Sequence, residues 1–320
     1  MDQSLVNDGY TSPPLEPDRP LLFLTSDAAS GHKGSPFVAI VRSRAELSRW
    51  LINPPDGLQW LQVEELIGDR DAWIPAAQST SSVPLDVVLT SPGSQFSYLY
   101  NLVDVLAVRD VRVSMPASPG FLKALKVAVA LRLPVRLIAG QPSAEALIEL
   151  IEAVNFYLRD PMVETPVEFF HSVLASMFGA GDGSLWMILE EDPALFLHRG
   201  VEGDFQIRGV SSSTSPGVLN PTALISLASE AAPKNLSPAT FVDTWFKRLL
   251  EPDAECATCP WQQICQGHFK WPDPTYDCEG VKRLFSAIEA VANEMSRELA
   301  CRDRTGPEAE LGKLGSVVDS

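Results

Sequence analysis

Residues 86–140 read DVVLTSPGSQFSYLYNLVDVLAVRDVRVSMPASPGFLKALKVAVALRLPVRLIAG, and this stretch decides the fold. Three short apolar runs lie in it, at 86–90 (DVVLT), 111–115 (VRVSM) and 135–139 (VRLIA). Helical patterns follow each run, at 95–106, 121–131 and 143–158. Apolar runs of about five residues that alternate with helices of this length are typical of βαβ units on a parallel sheet. The sequence therefore predicts an α/β fold, either a partial (β/α) barrel or an open parallel sheet.

Changes in composition divide the rest of the chain. The first residues are polar and rich in proline, whereas apolar residues recur at steps of three and four from Val281 to Leu299, which predicts an amphipathic helix docked by one face. The predicted organisation is a disordered arm (1–19), an α/β domain (20–160), a mostly helical continuation (161–250), a cysteine-rich cluster-binding domain with a C-terminal helix (251–301) and a disordered tail (302–320).

Charge and hydropathy narrow the classes of partner and compartment. The 320 residues carry a formal net charge of −16, which argues against nucleic acid and against an anionic membrane as partners, because both need a basic surface. No apolar run approaches the length of a membrane span, and the first residues lack the basic start and apolar core of a secretory signal. We therefore expect a cytoplasmic protein, a compartment in which clustered thiols more often bind metal than form disulfides.

Most of the chemical information lies in residues 256–278, CATCPWQQICQGHFKWPDPTYDC. Four of the five cysteines fall here, Cys256, Cys259, Cys265 and Cys278, whereas residues 1–255 contain none. The short first spacing lets one turn of backbone aim two sulfurs at a common point, and the loop before the last cysteine can return to it. The sequence predicts that these four thiolates bind one metal site.

Three interpretations of the four cysteines stay open. They could ligate a [4Fe–4S] cluster, they could hold structural zinc, or they could bind no metal. Zinc ribbons are usually built from two Cys-x2-Cys pairs, and only one such pair is present. The fifth cysteine, Cys301, is an extra ligand or a lone thiol, and His268 is a ligand, a hydrogen-bonding group or, as the preferred interpretation, a partly exposed loop histidine. Aromatic residues are expected to shield the site, namely Trp261, Phe269, Trp271 and Tyr276.

The spacing resembles the SPASM-type C-terminal extension of radical S-adenosylmethionine enzymes that mature ribosomally made peptides. That extension holds auxiliary [4Fe–4S] clusters on a core of Cys-x2-Cys-x5-Cys-x3-Cys. Cys256, Cys259 and Cys265 match its first three positions, the fourth falls at Phe269, and Cys278 resembles a later cysteine. The resemblance covers about 50 residues and implies one auxiliary cluster at most.

The same resemblance implies a function. The radical domain of that family binds its initiating cluster through Cys-x3-Cys-x2-Cys, which cannot occur in residues 1–255. The chain is therefore expected to be an accessory iron–sulfur protein, which positions a substrate peptide or passes electrons to a partner radical S-adenosylmethionine enzyme, rather than an autonomous radical enzyme. The alternatives are a zinc-stapled structural or adaptor protein and an independent α/β enzyme with a pocket formed by the loops after Thr90, Met115 and Ala139.

Overall fold

The computed structural model of the protein describes residues 20–178, 183–199, 205–206, 241–251 and 254–304. The predicted arm (1–19) and residues 305–320 of the predicted tail lie outside the described residues. The final helix extends to Arg304, so the first three residues of the predicted tail are helical.

Nine described strands form one sheet, and this sheet is a half-barrel. The strands are β1 (Leu21–Thr25), β2 (Phe37–Val41), β3 (Leu58–Val63), β4 (Leu85–Val88), β5 (Val111–Pro116), β6 (Val135–Ile138), β7 (Val167–Glu168), β8 (Phe196–Arg199) and β9 (Phe205–Gln206). Their order is β7-β6-β5-β4-β3-β2-β1-β8-β9. All neighbours are parallel except β8 and β9. The predicted α/β fold is confirmed, as a parallel half-barrel.

Most of the described helices lie between successive strands, as the sequence pattern predicts, and the last three follow the final strand. They are α1 (Ser26–Ala29), α2 (Arg44–Ile52), α3 (Ile74–Gln78), α4 (Pro92–Gln95), α5 (Val103–Leu106), α6 (Phe121–Ala130), α7 (Ala144–Arg159), α8 (Phe170–Met177), α9 (Leu185–Ile188), α10 (Phe241–Arg248), α11 (Gln262–Cys265) and α12 (Glu279–Arg304). The predicted cap of α7 is present, because the Ser143 hydroxyl accepts a hydrogen bond from the backbone N–H of Ala146 at 3.2 Å.

The two faces of the sheet differ in chemistry because successive side chains on a strand point to opposite faces. On the face covered by helices, Val87, Val113 and Val135 are buried in the main apolar core together with residues of α2, α6 and α7. On the opposite, inner face, Asp86 and Arg112 stand in register on neighbouring strands, and both are buried. The inner face of the half-barrel is therefore polar where β4 and β5 pair.

The chain after residue 160 completes the sheet and carries the cysteines. The described part of 161–250 contains helices α8 to α10 together with β7, β8 and β9, and β8 pairs in parallel with β1 from Phe196 opposite Leu21 onward. Helix α12 packs against α7 and α8. Its apolar stripe, including Leu284, Phe285 and Ile288, is fully buried, which confirms the predicted docking by one face. These residues belong to the same apolar core as the sheet, so the cysteine-rich segment is packed directly on the half-barrel.

Candidate metal centre

All four clustered cysteines line one cavity. Cys256 lies in a single-turn 3-10 helix, Glu255–Thr258, and Cys259 follows directly after it. Cys265 is the last residue of α11, and Cys278 immediately precedes α12. Three elements thus bring together four thiols that are up to 22 positions apart in the sequence. The four residues named from the sequence thus line the same cavity, and their role as metal ligands stays a prediction.

The backbone after Cys265 turns sharply to complete the cavity wall. Gln266 and Gly267 both have left-handed backbone angles, with φ of 44° and 73°. A side chain at Gly267 would collide with Leu249, and only glycine adopts this conformation without steric cost. The turn places the backbone N–H groups of Phe269 and Gly267 near the Cys265 thiol, where they lower its pKa against the larger, opposite effect of burial. Such N–H groups stabilise a thiolate and would equally stabilise a metal-bound sulfur.

Burial makes the thiols poor acids in the metal-free protein. Withdrawal from water raises the pKa of Cys265 to about 11 and that of Cys278 to about 12. Burial also raises the pKa of Cys256, against the opposing charge of Lys270. Thiols with raised pKa values are protonated at neutral pH, so a metal that binds here must displace protons.

A short ion-pair network adjoins the four thiols. The Glu255 carboxylate lies 2.7 Å from the Lys270 ammonium and 2.9 Å from that of Lys282, and all three residues line the cavity. Lys270 also donates a hydrogen bond of 2.5 Å to the carbonyl oxygen of Tyr276. Because Glu255 precedes Cys256 and Lys282 lies in α12, the network joins the segment of Cys256 to the helix that follows Cys278.

The aromatic shell differs from the sequence prediction. Among the described residues that line the cavity, the aromatic ones are Phe246, Trp261 and Phe285. Of the four aromatic residues named from the sequence, Trp261 alone is among them. Phe269 is instead fully buried in the main core, where its ring packs edge-on against that of Phe285. The remaining two make other contacts. Trp271 packs in a cluster with Trp186 and Trp245, and the Tyr276 hydroxyl donates a hydrogen bond to the loop that follows β6.

His268 does not line the cavity, and its interpretation as a partly exposed loop histidine is wrong. The residue is 3% exposed, and its Nε2 lies 2.7 Å from a carboxylate oxygen of Glu191. The indole of Trp186 packs edge-on against the imidazole, and its Nε1 donates to the carbonyl oxygen of Gln266. The turn after α9 thus holds the loop between Cys265 and Cys278 against the half-barrel.

The inner face of the sheet carries a buried network of charges that the sequence analysis missed. Asp86 accepts hydrogen bonds from Arg112 at 2.8 Å and from Ser114 at 2.6 Å. Glu190 accepts from Arg112 at 2.8 Å and forms a second ion pair with Arg136. Burial alone would raise the pKa of Asp86, but the two guanidinium groups outweigh it and lower the pKa to about 2. The available signal was a charged residue inside each of three otherwise apolar strand runs.

The cysteine-rich segment covers one of the loops that the enzyme alternative requires. Gln141, in the loop after Ala139, donates from its side-chain amide to the carbonyl oxygens of Phe269 at 3.1 Å and Asp273 at 2.9 Å. The Tyr276 hydroxyl donates to the carbonyl oxygen of Pro142 at 2.7 Å. The segment is therefore seated at the carboxyl end of β6, the end of a parallel sheet at which binding sites usually form.

Comparisons with known proteins add no family or function to this description. No protein-family model matches the chain, and no curated protein and no solved structure matches it significantly. Within the described ranges, no group of three or more His, Cys, Asp or Glu side chains is placed to hold a single metal ion. The four thiols stand around the cavity wall instead. None of the described helices has the length and apolar character that crossing a membrane demands.

Proposed function

We propose that the chain is an iron–sulfur protein in which Cys256, Cys259, Cys265 and Cys278 hold a [4Fe–4S] cluster. We further propose that it is a SPASM-like accessory protein of ribosomal peptide maturation, which serves a radical S-adenosylmethionine enzyme as electron-transfer or substrate-positioning partner. A cluster of this type exchanges single electrons. In this proposal the protein binds the cluster, shields it from water and determines the charges and hydrogen-bond donors around it.

The observation that carries the proposal is the convergence of the four thiols on one cavity. Four thiolates are the ligand number that a [4Fe–4S] cluster takes. The cavity also offers apolar walls from Trp261 and Phe285, whose ring centroids lie 5.5 Å apart, and backbone N–H groups close to Cys265. Apolar walls exclude water, and N–H donors to the ligand sulfurs stabilise the reduced state.

Geometry separates the cluster from the zinc alternative. A single zinc ion draws four sulfurs to about 2.3 Å from one point, whereas each thiolate of a [4Fe–4S] cluster binds a different iron. Thiols that line one cavity without meeting at a single point, as in the part of the chain that the structure describes, suit the second arrangement better. Zinc remains the competing outcome of the experiment.

Anaerobic reconstitution with iron and sulfide tests the cluster. We expect about four irons and four sulfides per chain and a brown colour, because four thiolates ligate one [4Fe–4S] cluster. Cys265→Ser should lose most of the iron, because it removes a ligand on the wall of the cavity. Cys301→Ser is the matched control, since this cysteine lies outside the proposed set, and it should bind as the wild type does. A colourless protein with one zinc per chain would refute the proposal.

The accessory role needs a separate test. If a gene for a short peptide and one for a radical enzyme with an intact Cys-x3-Cys-x2-Cys motif lie beside this one, their products can be mixed with the reconstituted protein. We expect binding of the peptide or of the enzyme, measured by calorimetry, and faster peptide modification. Equal modification rates with and without this chain, and no binding, would refute the role and leave the cluster proposal standing.

A further inference from the structure

Positive charge is concentrated at the cysteine cavity of a chain that is acidic overall. Lys270 and Lys282 both line the cavity, and one carboxylate, that of Glu255, lies between them. The described network therefore carries a net charge of +1.

This charge faces a site that becomes more negative when it is reduced. A [4Fe–4S] core held by four thiolates has a net charge of roughly −2 when oxidised and roughly −3 when reduced, and net charge is one of the quantities that set its potential. A nearby cation interacts more favourably with the more negative state, and the interaction is stronger where water is excluded. A fixed ammonium on the cavity wall would therefore favour the reduced state.

We infer that Lys270 is a positioning residue that raises the reduction potential of the cysteine site, with the carbonyl oxygen of Tyr276 holding its ammonium in place. The inference rests on the proposed function, since it requires a redox-active group at these cysteines. Lys270 fixes its own place by two contacts, the ion pair of 2.7 Å with Glu255 and the hydrogen bond of 2.5 Å to Tyr276. Two contacts on one ammonium leave it little freedom to move away from the thiols.

The two lysines differ in burial, and therefore in their expected influence on the reduction potential. The side chain of Lys270 is 9% exposed, whereas that of Lys282 is 29% exposed. Solvent and salt screen an exposed charge more strongly than a buried one. Lys282 should therefore have a smaller influence of the same sign. Glu255, as the one negative charge in the network, should act in the opposite direction.

The experiment compares reduction potentials after anaerobic reconstitution. Lys270→Met, Lys282→Met and Glu255→Gln are measured beside the wild type by redox titration followed in the visible spectrum. Lys126→Met is the matched control, because Lys126 pairs with Glu152 on an exposed surface and does not line the cavity. Iron content is determined first for each protein.

The expected pattern is a lowered potential in Lys270→Met, a smaller decrease in Lys282→Met, an increase in Glu255→Gln and no change in Lys126→Met. Lys270→Arg, which keeps the charge, should restore most of the wild-type value. A reconstituted Lys270→Met with the wild-type potential would overturn the inference while leaving the cluster intact. If that variant loads no iron, an unchanged or lowered potential in Glu255→Gln overturns it instead. A wild type without iron would defeat the proposed function itself.

Discussion

Replacing Asp86 with asparagine would remove one negative charge from the inner face of the half-barrel while nearly keeping the shape of the side chain. Asp86 is fully buried, and its carboxylate contacts Arg112, Arg136 and the hydroxyl of Ser114. In the variant, the buried guanidinium groups of Arg112 and Arg136 would lose one of the two carboxylates that they contact, and that of Glu190 would remain. A negative charge would thus be removed from beside two positive charges in a place that water does not reach.

The size of the effect follows from the pKa of Asp86. Its fall from 3.8 to about 2 in the folded protein corresponds to about 2.5 kcal/mol of stability at neutral pH. Breaking a buried ion pair by removing one partner typically costs about 3–5 kcal/mol. Asparagine keeps an acceptor for Ser114 and offsets part of that cost. We therefore expect the variant to lose about 2–4 kcal/mol of unfolding free energy at pH 7.

The pH dependence gives an independent check on the mechanism. Because the pKa of Asp86 is lowered by folding, its contribution is complete above 3.8 and is lost as the pH falls through about 2. The difference in stability between wild type and variant should therefore be constant near neutral pH. It should shrink as the solution is acidified below 3.8.

Urea unfolding of both proteins, followed by circular dichroism at several pH values, measures this difference. Asp56→Asn is a suitable control, since Asp56 is an exposed aspartate and its replacement should change the unfolding free energy by less than about 0.5 kcal/mol. The reasoning would be refuted if Asp86→Asn were as stable as the control at pH 7. A loss of stability that stayed the same down to pH 2 would show that packing, not charge, causes it.

Three other perturbations test the cysteine-rich segment. Gly267→Ala should destabilise the protein by about 1–3 kcal/mol in urea unfolding, because φ is positive there and the added carbon meets Leu249; wild-type stability would contradict the strain. Glu191→Ala should cost about 1–3 kcal/mol by the same assay, because it leaves His268 buried without its carboxylate, whereas an unchanged midpoint would mean that the pair is dispensable. The pKa of Cys278 is raised by burial to about 12, so the metal-free protein should lose stability as the pH rises above 9, where the unfolded thiol ionises; a midpoint that is flat up to pH 11 would count against this.

Local patterns in the sequence determine much of the architecture. The runs that became β4, β5 and β6 are short, apolar and separated by helical spacing, which leaves few alternatives to a parallel sheet. The cap at Ser143 and the apolar stripe of α12 are equally local, since each depends on residues within a few turns of one helix. The gathering of the cysteines could be predicted for the same reason.

Partners that lie far apart in the chain could not be predicted from such patterns. Arg112 and Glu190 are separated by 78 positions, and Glu191 and His268 by 77. Spacing along one element says which side chains share a face, but it does not say which distant turn will cover that face. A charged residue in a strand signals that a partner must exist, because an unpaired buried charge is too costly, yet the identity of the partner depends on the tertiary fold.

The neighbouring residues Glu190 and Glu191 connect the two polar parts of the molecule. Glu190 binds the arginines on the inner face of the sheet, and Glu191, the next residue, binds His268 in the loop between Cys265 and Cys278. Glu190 adopts a positive φ of 58°, a conformation that ordinary residues seldom take, and the paired contacts hold it there. One turn thus makes both the contacts to the arginines and the contact to His268. A change that loosened the charges inside the half-barrel would therefore also release the loop that shapes the cysteine cavity, because both depend on the position of the same two residues.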